Sequence, residues 1–353
     1  MKISELKETH KILLLLAFLL VWNVFFSVTG LFPKVWIGIL LVDFVIVVLV
    51  FKQTSLLIPA QRTSIFEKTV AISFPFILLG SWEALVRTGI LNEQWFPPPT
   101  RILVAIWNLT VNYDPFTKTS LLGRPWLIPS VFLKEGLEGV KSLFIESHVI
   151  ATVLRLLTGF VVGAIPGIIV GVFMGMSRIV RTMLDPVISA TYVVPKITIL
   201  PLMMLIFDPF GETYQIVTVA IGVFFLALVN TMVGVRDIDP IFLEAGRNFG
   251  ANPVQLFRHV IIPAALPFIF AGLRLGLGVG LVLVVAIEFL RGEKGVGYIT
   301  WYYWEIMIVE NMFAGLIIIM VLGVLTTFGL QTLERKLLPW QREEKPVVDT
   351  VPG

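Results

Sequence analysis

Cysteine is absent from the chain, and only three histidines are present. The absence of cysteine excludes disulfide bonds and thiolate sites for metals or redox chemistry. His10, His148 and His259 lie far apart in the sequence, so they form no cluster of the kind that metal binding or acid–base catalysis requires. The sequence therefore disfavours a membrane-bound enzyme.

Charge is also scarce, since 14% of the 353 residues are charged, whereas soluble domains carry roughly 25%. Hydrophobic residues make up 57% of the chain, which predicts a multi-pass membrane protein. A spanning helix needs about 20 mostly apolar residues, and about eight stretches approach this length. They are residues 12–28, 35–51, 70–90, 148–176, 184–207, 214–233, 264–289 and 312–333.

The first apolar stretch follows three lysines, as a cleavable signal peptide would. No small-residue cleavage site follows Val28, so we expect an anchor helix instead. The orientation follows from the connections, because lysine and arginine resist translocation. With a cytoplasmic N-terminus, most of these residues stay inside, and the exterior ones fall mainly within residues 92–147. Both termini are therefore predicted to be cytoplasmic.

Residues 92–147 form the one long segment predicted on the outer side. The sequence FPPPT followed by RILVAIWNL predicts a turn into a short amphipathic helix. A second helix is predicted over residues 131–144, with one apolar face formed by Phe132, Leu133, Leu137, Val140 and Phe144. These helices are expected to lie at the lipid headgroups, and the alternative is a docking surface for an external protein.

Small residues recur at helical spacing in two of the predicted spans. Glycines at every fourth position leave a helix ridge without side chains, which lets another helix backbone approach closely. We assign them to helix packing: Gly159, Gly163, Gly167, Gly171, Gly175, Gly272, Gly276 and Gly280. Pro186, Pro195 and Pro201 interrupt another span, which predicts a broken helix beside protein or a water-filled cavity.

Four charged residues within the predicted spans are candidates for the translocation pathway, because each costs about 2.5–3.5 kcal/mol at the membrane centre and must face protein or water. For Lys196 and Arg274, the alternatives are structural ion pairs or caps on carbonyls freed by proline. Arg155 and Glu288 lie nearer the outer ends, where they can extend toward water instead. Asp43 has no assigned role.

A polar segment, residues 239–263, interrupts the apolar pattern, and we call it the 239–263 loop. Asp239 and Pro240 form a typical helix start, Gly250 a typical helix end, and Asn252 with Pro253 a second start. These signals predict two short helices that project from the cytoplasmic face.

The 239–263 loop resembles the EAA motif in the permeases of binding-protein-dependent ABC importers. That motif reads Glu-Ala-Ala, three residues, Gly, nine residues and Ile-x-Leu-Pro. The chain keeps every spacing, from Glu244 and Ala245 through Gly250 to Pro263. Its departures are glycine for the second alanine and conservative changes at two aliphatic positions, here Gly246, Val260 and Ile262.

The resemblance covers residues 81–338 and is closest to the branch that imports nitrate, sulfonates, taurine and bicarbonate. Further similar segments are SWEALVRTGIL, RLLTGF, MLDP, VVPKITILPL and LERKLL. It implies an all-α membrane helix bundle with the type I ABC importer permease fold. Residues 1–68 would be two extra N-terminal helices and 69–338 a permease domain of about six helices with a coupling helix at 239–259. Residues 113–138 are also extra to the pattern. The polar, proline-containing composition of residues 339–353 predicts a disordered tail.

The resemblance implies a bacterial inner-membrane transport subunit rather than an enzyme. The sequence contains no G-x-x-x-x-G-K-[ST] phosphate loop, so ATP and Mg²⁺ are expected on a separate partner. Expected partners are two ATP-binding subunits, a second permease subunit (identical or homologous), an extracytoplasmic substrate-binding protein and lipid, without nucleic acid. The residues expected to contact the ATPase are Phe242, Glu244, Ala245, Gly246, Arg247, Phe249, Gly250 and Pro263. The alternative function is an ion-coupled secondary transporter.

Overall fold

A computed structural model describes residues 3–114, 119–208 and 210–340. The chain divides into two compact units, residues 1–101 and 102–353. The predicted domain boundary at residue 68 stays a prediction. The proposed tail begins at residue 339, and its part from residue 341 onward lies outside the described residues.

The first unit contains three long helices, α1 (Ile3–Val28), α2 (Phe32–Leu57) and α3 (Ala60–Arg87). Gly30 takes a positive φ of 66° in the turn between α1 and α2. Asn23 on α1 donates a 3.0 Å hydrogen bond to the carboxylate of Asp43 on α2. This bond gives Asp43 a structural role that the sequence had not indicated, because a polar group in an apolar helix is stabilised by a partner on the next helix.

The remaining helices begin at residue 99, and a two-residue hairpin interrupts them. β1 (Tyr113–Asp114) pairs antiparallel with β2 (Thr119–Ser120). The helices are α4 (Pro99–Val111), α5 (Ile128–Glu146), α6 (His148–Met176), α7 (Arg178–Val193), α8 (Leu200–Ile206), α9 (Thr213–Arg236), α10 (Pro240–Asn248), α11 (Pro253–Leu256), α12 (Ile262–Arg291), α13 (Val296–Glu305) and α14 (Val309–Leu337).

Seven helical segments among the described residues are long and apolar enough to cross a membrane, and a bent pair raises the number to eight. The bent pair joins α7 to residues 196–206 at an angle of 94°. This is the span in which prolines predicted a break. It begins at Arg178, earlier than predicted, because the Ser177 hydroxyl accepts from the backbone of Val180 and starts α7 there. The chain is a multi-pass, all-α membrane protein.

The core of the second unit is the packing of α6 and α12 against α9. The glycine ridge of α6 lies on the α9 backbone, so a Cβ added at Gly167 would lie 2.6 Å from the carbonyl oxygen of Phe224. One added at Gly171 would lie 2.6 Å from that of Leu228. On α12, a Cβ at Gly272 would lie 2.7 Å from Asn230 of α9. Lipid is as apolar as the helix surfaces, so the hydrophobic effect does not hold two spanning helices together. Close packing of their backbones stabilises the contact instead.

The predicted single apolar face over residues 131–144 is wrong. α5 is interrupted at Gly136, which has φ 67° and ψ −149°. A non-helical residue rotates the segments on its two sides relative to each other, so Phe132 and Leu133 do not continue the face of Leu137. The other predicted amphipathic helix corresponds to α4.

Candidate functional site

The 239–263 loop begins with the predicted helix start. An Asp239 side-chain oxygen accepts a 2.9 Å hydrogen bond from the backbone of Ile241, and Pro240 occupies the first turn of α10. Before it, Arg236 donates to both carboxylate oxygens of Asp237, at 2.6 and 3.1 Å. These hydrogen bonds lower the pKa of Asp237, so the carboxylate is charged at the start of the loop.

Gly250 ends α10, as predicted, with φ 78°. Ala251 donates its backbone N–H to Gly246, and Gly250 donates to Arg247, at 3.1 and 2.9 Å. This pair of bonds is the Schellman motif. Asn252 then starts α11 through a reciprocal capping box with Gln255, with distances of 2.8 and 2.9 Å. Both turns of the loop are therefore fixed by short-range hydrogen bonds.

The second part of the loop is not a separate helix. From Pro253 the chain continues through a π-helical turn, Phe257–Ile261, into α12 without a break. Ile262 donates its N–H to the carbonyl of Phe257, five residues earlier. Pro263 has no N–H to donate, and the wider turn accommodates that missing donor. α11, the π-helical turn and α12 therefore form one continuous helical segment, Pro253–Arg291.

Gly246 replaces the second alanine of the family pattern, and the side chains packed against it explain why glycine fits there. A Cβ added there would lie 2.7 Å from Leu256 Cδ1 and 3.5 Å from Val260 Cγ2. Leu256 is buried. Glycine at this position lets α10 lie close to α11, which offsets a helix-propensity cost of about 1 kcal/mol relative to alanine.

The loop exposes large apolar side chains although it is otherwise polar. Phe249 is 92% exposed, Phe242 58% and Val254 72%. Glu244 and Arg247 are also exposed beside them. Leu243 points the other way and packs on an apolar cluster that includes residues of α6, α9 and α12, namely Val172, Val235, Ile261, Ala265 and Ile269. α10 is thus anchored to the bundle on one side and presents a mixed apolar and charged surface on the other.

Arg155 and Glu288 do not extend toward water at the membrane edge, which was the alternative to a pathway role. Their side chains are 4% and 0% exposed, and Arg155 Nη1 lies 2.9 Å from Glu288 Oε1. Arg155 Nη1 also donates to the carbonyl of Lys294, at 2.6 Å, and Nη2 donates to Glu212, at 2.8 Å. The fold places partners around both groups, and pairing makes burial of such charges possible.

Glu288 accepts from two further groups that the sequence did not single out. Thr152 Oγ1 lies 2.9 Å from both carboxylate oxygens, and the backbone of Gly297 donates at 2.9 Å. Thr152 in turn accepts from the backbone of Val296, at 2.8 Å. We call Thr152, Arg155 and Glu288 the buried polar cluster, and Glu212, which is 59% exposed, pairs with it through Arg155. The buried polar cluster joins α6, the end of α12 and the segment before α13, and Glu212 links it to the start of α9.

Burial lowers the pKa of Lys294, and the positive charge of Arg155 lowers it further. Lys294 lies in the connection between α12 and α13, beside the buried polar cluster. Its backbone carbonyl accepts from Arg155, while its own charge is disfavoured there.

Lys196 and Arg274 each contact groups of the bundle. Lys196 Nζ donates to three backbone carbonyls at the end of α7, at 2.7–3.0 Å, and lies 4.5 Å from the centre of the Phe225 ring. This matches a cap on carbonyls at the broken helix. Arg274 on α12 forms an ion pair with Glu334 on α14. A pathway role for Arg155, Lys196, Arg274 or Glu288 stays a prediction.

Broken spans and paired charges between spanning helices occur in membrane transport proteins. Residues 167–339 match the family described as binding-protein-dependent transport system inner membrane component. The chain is also 34% identical over 267 residues to the aliphatic sulfonates transport permease protein SsuC of Bacillus subtilis, covering 76% of this chain and 86% of SsuC. The chain belongs to this family, the permease subunits of binding-protein-dependent ABC importers.

Two further relatives have the same kind of description. The taurine transport system permease protein TauC of Escherichia coli is 28% identical over 277 residues, which cover 78% of this chain and 91% of TauC. The nitrate import permease protein NrtB of Synechococcus elongatus is 26% identical over 225 residues, covering 64% of this chain and 72% of NrtB. These proteins are transport components rather than enzymes.

Proposed function

We propose that this permease forms the translocation pathway for a small anionic solute and is driven by a separate ATPase that binds the 239–263 loop. The observation that carries the ATPase proposal is the exposure of Phe242, Phe249 and Val254 on a capped, polar segment between two spans. Exposed aromatic side chains beside charges are typical of protein interfaces.

The local structure supports a mechanical role for this loop. Leu243 anchors α10 to the bundle, and α11 continues into α12. When ATP closes two ATP-binding subunits, the loops move with them, and the bundles change between inward-open and outward-open states. Glu244 and Arg247 supply polar contacts, while Phe242 and Phe249 fill apolar pockets of the ATPase. Coupling requires only that ATP and the loaded binding protein favour one arrangement.

The solute class is supported by the relatives, whose names refer to taurine, aliphatic sulfonates and nitrate. The proposed assembly lies in the bacterial inner membrane, with both termini in the cytoplasm. It contains two ATP-binding subunits, which carry ATP and Mg²⁺, and a second permease subunit, identical or homologous. An extracytoplasmic binding protein delivers the solute.

Replacing Glu244 by lysine tests the coupling proposal. Glu244→Lys reverses the charge on the exposed side of α10, so we expect ATP hydrolysis to continue without solute uptake. Uptake and ATPase activity are measured in proteoliposomes that contain the whole importer with its binding protein. The amount of assembled permease in the membrane is expected to be unchanged, because α10 contains no buried residue.

Glu138→Lys is the matched control, because Glu138 is also an exposed glutamate but lies on α5. We expect that variant to retain coupled uptake. Normal uptake by Glu244→Lys would refute the role of the 239–263 loop. Uptake that persists after removal of the ATPase would instead favour an ion-coupled secondary transporter.

A further inference from the structure

A regular row of polar side chains runs along α7 and ends at Lys196. Its members follow one another at intervals of four, three, four, three and four residues, namely Arg178, Thr182, Asp185, Ser189, Tyr192 and Lys196. Residues three and four apart lie on one face of an α-helix. Lys196 follows the helix and donates back to the carbonyl of Tyr192, at 3.0 Å. We call these residues the polar stripe of α7.

The polar stripe of α7 extends from one end of the bundle to its middle. α7 begins directly after α6, where a Cβ added at Gly175 would lie 2.6 Å from Val235. Val235 lies at the end of α9 that leads into the 239–263 loop. At the other end of the stripe, Lys196 Nζ lies 4.5 Å from the centre of the Phe225 ring, near the middle of α9. The polar stripe therefore covers the half of the bundle next to the 239–263 loop, which we call the inner half.

The other sides of α7 are apolar and of two kinds. Val180 and Ile188 pack on an apolar cluster formed by α6 and α9. On a different side, large apolar side chains are 64–74% exposed, namely those of Ile179, Met183 and Val187. An exposed apolar side fits lipid or another membrane helix, whereas a row of polar and charged side chains does not.

The charges of the polar stripe have an environment that lipid cannot provide. Arg178 and Asp185 are exposed, and in the described part of the chain neither side chain forms a hydrogen bond or a salt bridge. Ser189 is exposed on the same face. Unpaired charges within a membrane span are costly in lipid, so they face protein or a water-filled cavity. The polar stripe of α7 therefore fits the wall of an aqueous space.

The charge on this wall is positive on balance, since Arg178 and Lys196 are cationic and Asp185 is anionic. Lys196 Nζ also donates to three backbone carbonyls at the end of α7, at 2.7–3.0 Å. The C-terminal end of a helix carries a partial negative charge, which the ammonium group offsets. A cleft with charge of one sign and low-dielectric walls concentrates ions of the opposite sign. The polar stripe therefore favours anions over cations.

We propose that the polar stripe of α7 lines the inner half of the solute pathway, and that its net positive charge favours anions there. The inference rests on the proposed function, since it assigns one wall of the route that this permease forms. It gives Arg178, Asp185 and Ser189 a place on that wall. It also makes Lys196 a residue that determines which sign of charge passes the broken span.

Single cysteines in the whole importer test this wall, because a thiol reacts as the thiolate and stays protonated in an apolar environment. Ser189→Cys places a thiol on the polar stripe. Val187→Cys is the matched control, because Val187 lies two residues away on the same helix and is 64% exposed on the apolar side. The importer is studied in lipid nanodiscs without ATP. Mass spectrometry of the intact permease follows the mixed disulfide that forms with a sulfonate-bearing or a trimethylammonium-bearing methanethiosulfonate.

We expect Ser189→Cys to be modified and Val187→Cys to stay unmodified. At Ser189→Cys, the sulfonate reagent should react roughly fivefold faster than the trimethylammonium reagent, after correction for their rates with a free thiol in solution. Adding Lys196→Met should abolish this preference, because the carbonyl end of α7 is then left without its cation. Lys196→Arg keeps the charge and should retain the preference. Thermal unfolding identifies any effect that comes from misfolding.

Equal modification of Ser189→Cys and Val187→Cys would overturn the proposal, because α7 would then have no distinct aqueous side. An unmodified Ser189→Cys would also overturn it, since the polar stripe would then be covered by a dry protein contact. Modification of Ser189→Cys without a preference for the sulfonate reagent would overturn it as well. That result would indicate a helix at the membrane surface, where salt screens the charges.

Failure of this inference is distinguishable from failure of the proposed function. Coupled uptake by Glu244→Lys rejects the role of the 239–263 loop and leaves the cysteine result unaffected. An unmodified Ser189→Cys in an importer that Glu244→Lys uncouples rejects only the polar stripe of α7.

Discussion

Arg155 is the residue on which the buried polar cluster depends. Its guanidinium joins two carboxylates and a backbone carbonyl that belong to three different parts of the chain. The planar, forked guanidinium suits several acceptors at once, which a lysine ammonium does not reproduce in the same geometry. Glu288 is wholly buried, and Arg155 is its one cationic partner among the described residues.

Removing Arg155 alone should destabilise the protein strongly. Arg155→Met leaves the carboxylate of Glu288 buried without a counter-charge, so we expect the free energy of unfolding to fall by about 3–5 kcal/mol. Denaturant or thermal unfolding in detergent measures this loss. The double variant Arg155→Met, Glu288→Met should recover part of the stability, because it removes both charges. A double variant less stable than Arg155→Met would contradict this account.

The sequence identified Arg155 and Glu288 as unusual but could not identify their environment. Both positions are visible as charges in apolar helices, and their cost in lipid follows from residue type alone. Their partners lie 57 to 139 residues away, so only the packed fold brings them together. Lys196 differs, because the carbonyls that it caps lie only two to five residues away. The neighbouring prolines free such carbonyls, so a capping role for Lys196 could be predicted from the sequence.

At the scale of elements, the glycine ridge of α6 fixes how closely α9 approaches. A Cβ at Gly167 would meet the backbone of α9, which cannot move without shifting the whole helix. Gly278 on α12 is a useful contrast, because nothing lies within 4 Å of a Cβ added there. The two glycines are both in spanning helices, so intrinsic helix propensity acts on both alike.

Valine substitution at these two glycines should therefore have different effects. Gly167→Val should lower the unfolding temperature in detergent, because overpacking of a tight contact typically costs about 1–3 kcal/mol. Gly278→Val, with the same change of side chain, should leave it unchanged or raise it. Thermal unfolding of the two purified variants measures the difference. Equal destabilisation of the two variants would show that the effect of valine comes from helix propensity and not from the contact between α6 and α9.

The 239–263 loop shows which parts of an element are predictable. Asp239, Gly250 and Asn252 act through hydrogen bonds to residues close in sequence, so the helix starts and the turn were predicted correctly. The π-helical turn before α12 and the contact of Gly246 with Leu256 depend on how α10 packs against α11. Packing of that kind leaves no local pattern in the sequence.

For the whole molecule, the membrane must lie between the two ends of α12. The 239–263 loop precedes α12, and the segment that follows it bonds to the start of α6. α5 ends at Glu146, immediately before α6, so it lies at the same end as His148. The distribution of lysine and arginine predicts that the loop is cytoplasmic and that residues 92–147 are outside.

Single cysteines test this topology directly, because the natural chain contains none. Val254→Cys, at a position 72% exposed in the loop, should react with a membrane-impermeant maleimide only after cells are permeabilised. Glu138→Cys, whose native side chain is 86% exposed on α5, should react in intact cells. Neither change removes a buried contact within the permease. Labelling is done in cells that lack the partner ATPase, because that subunit is proposed to cover Val254, and retained uptake by the full importer confirms that each variant is assembled. Labelling of Val254→Cys in intact cells would place the 239–263 loop outside, where no ATP-driven subunit can reach it.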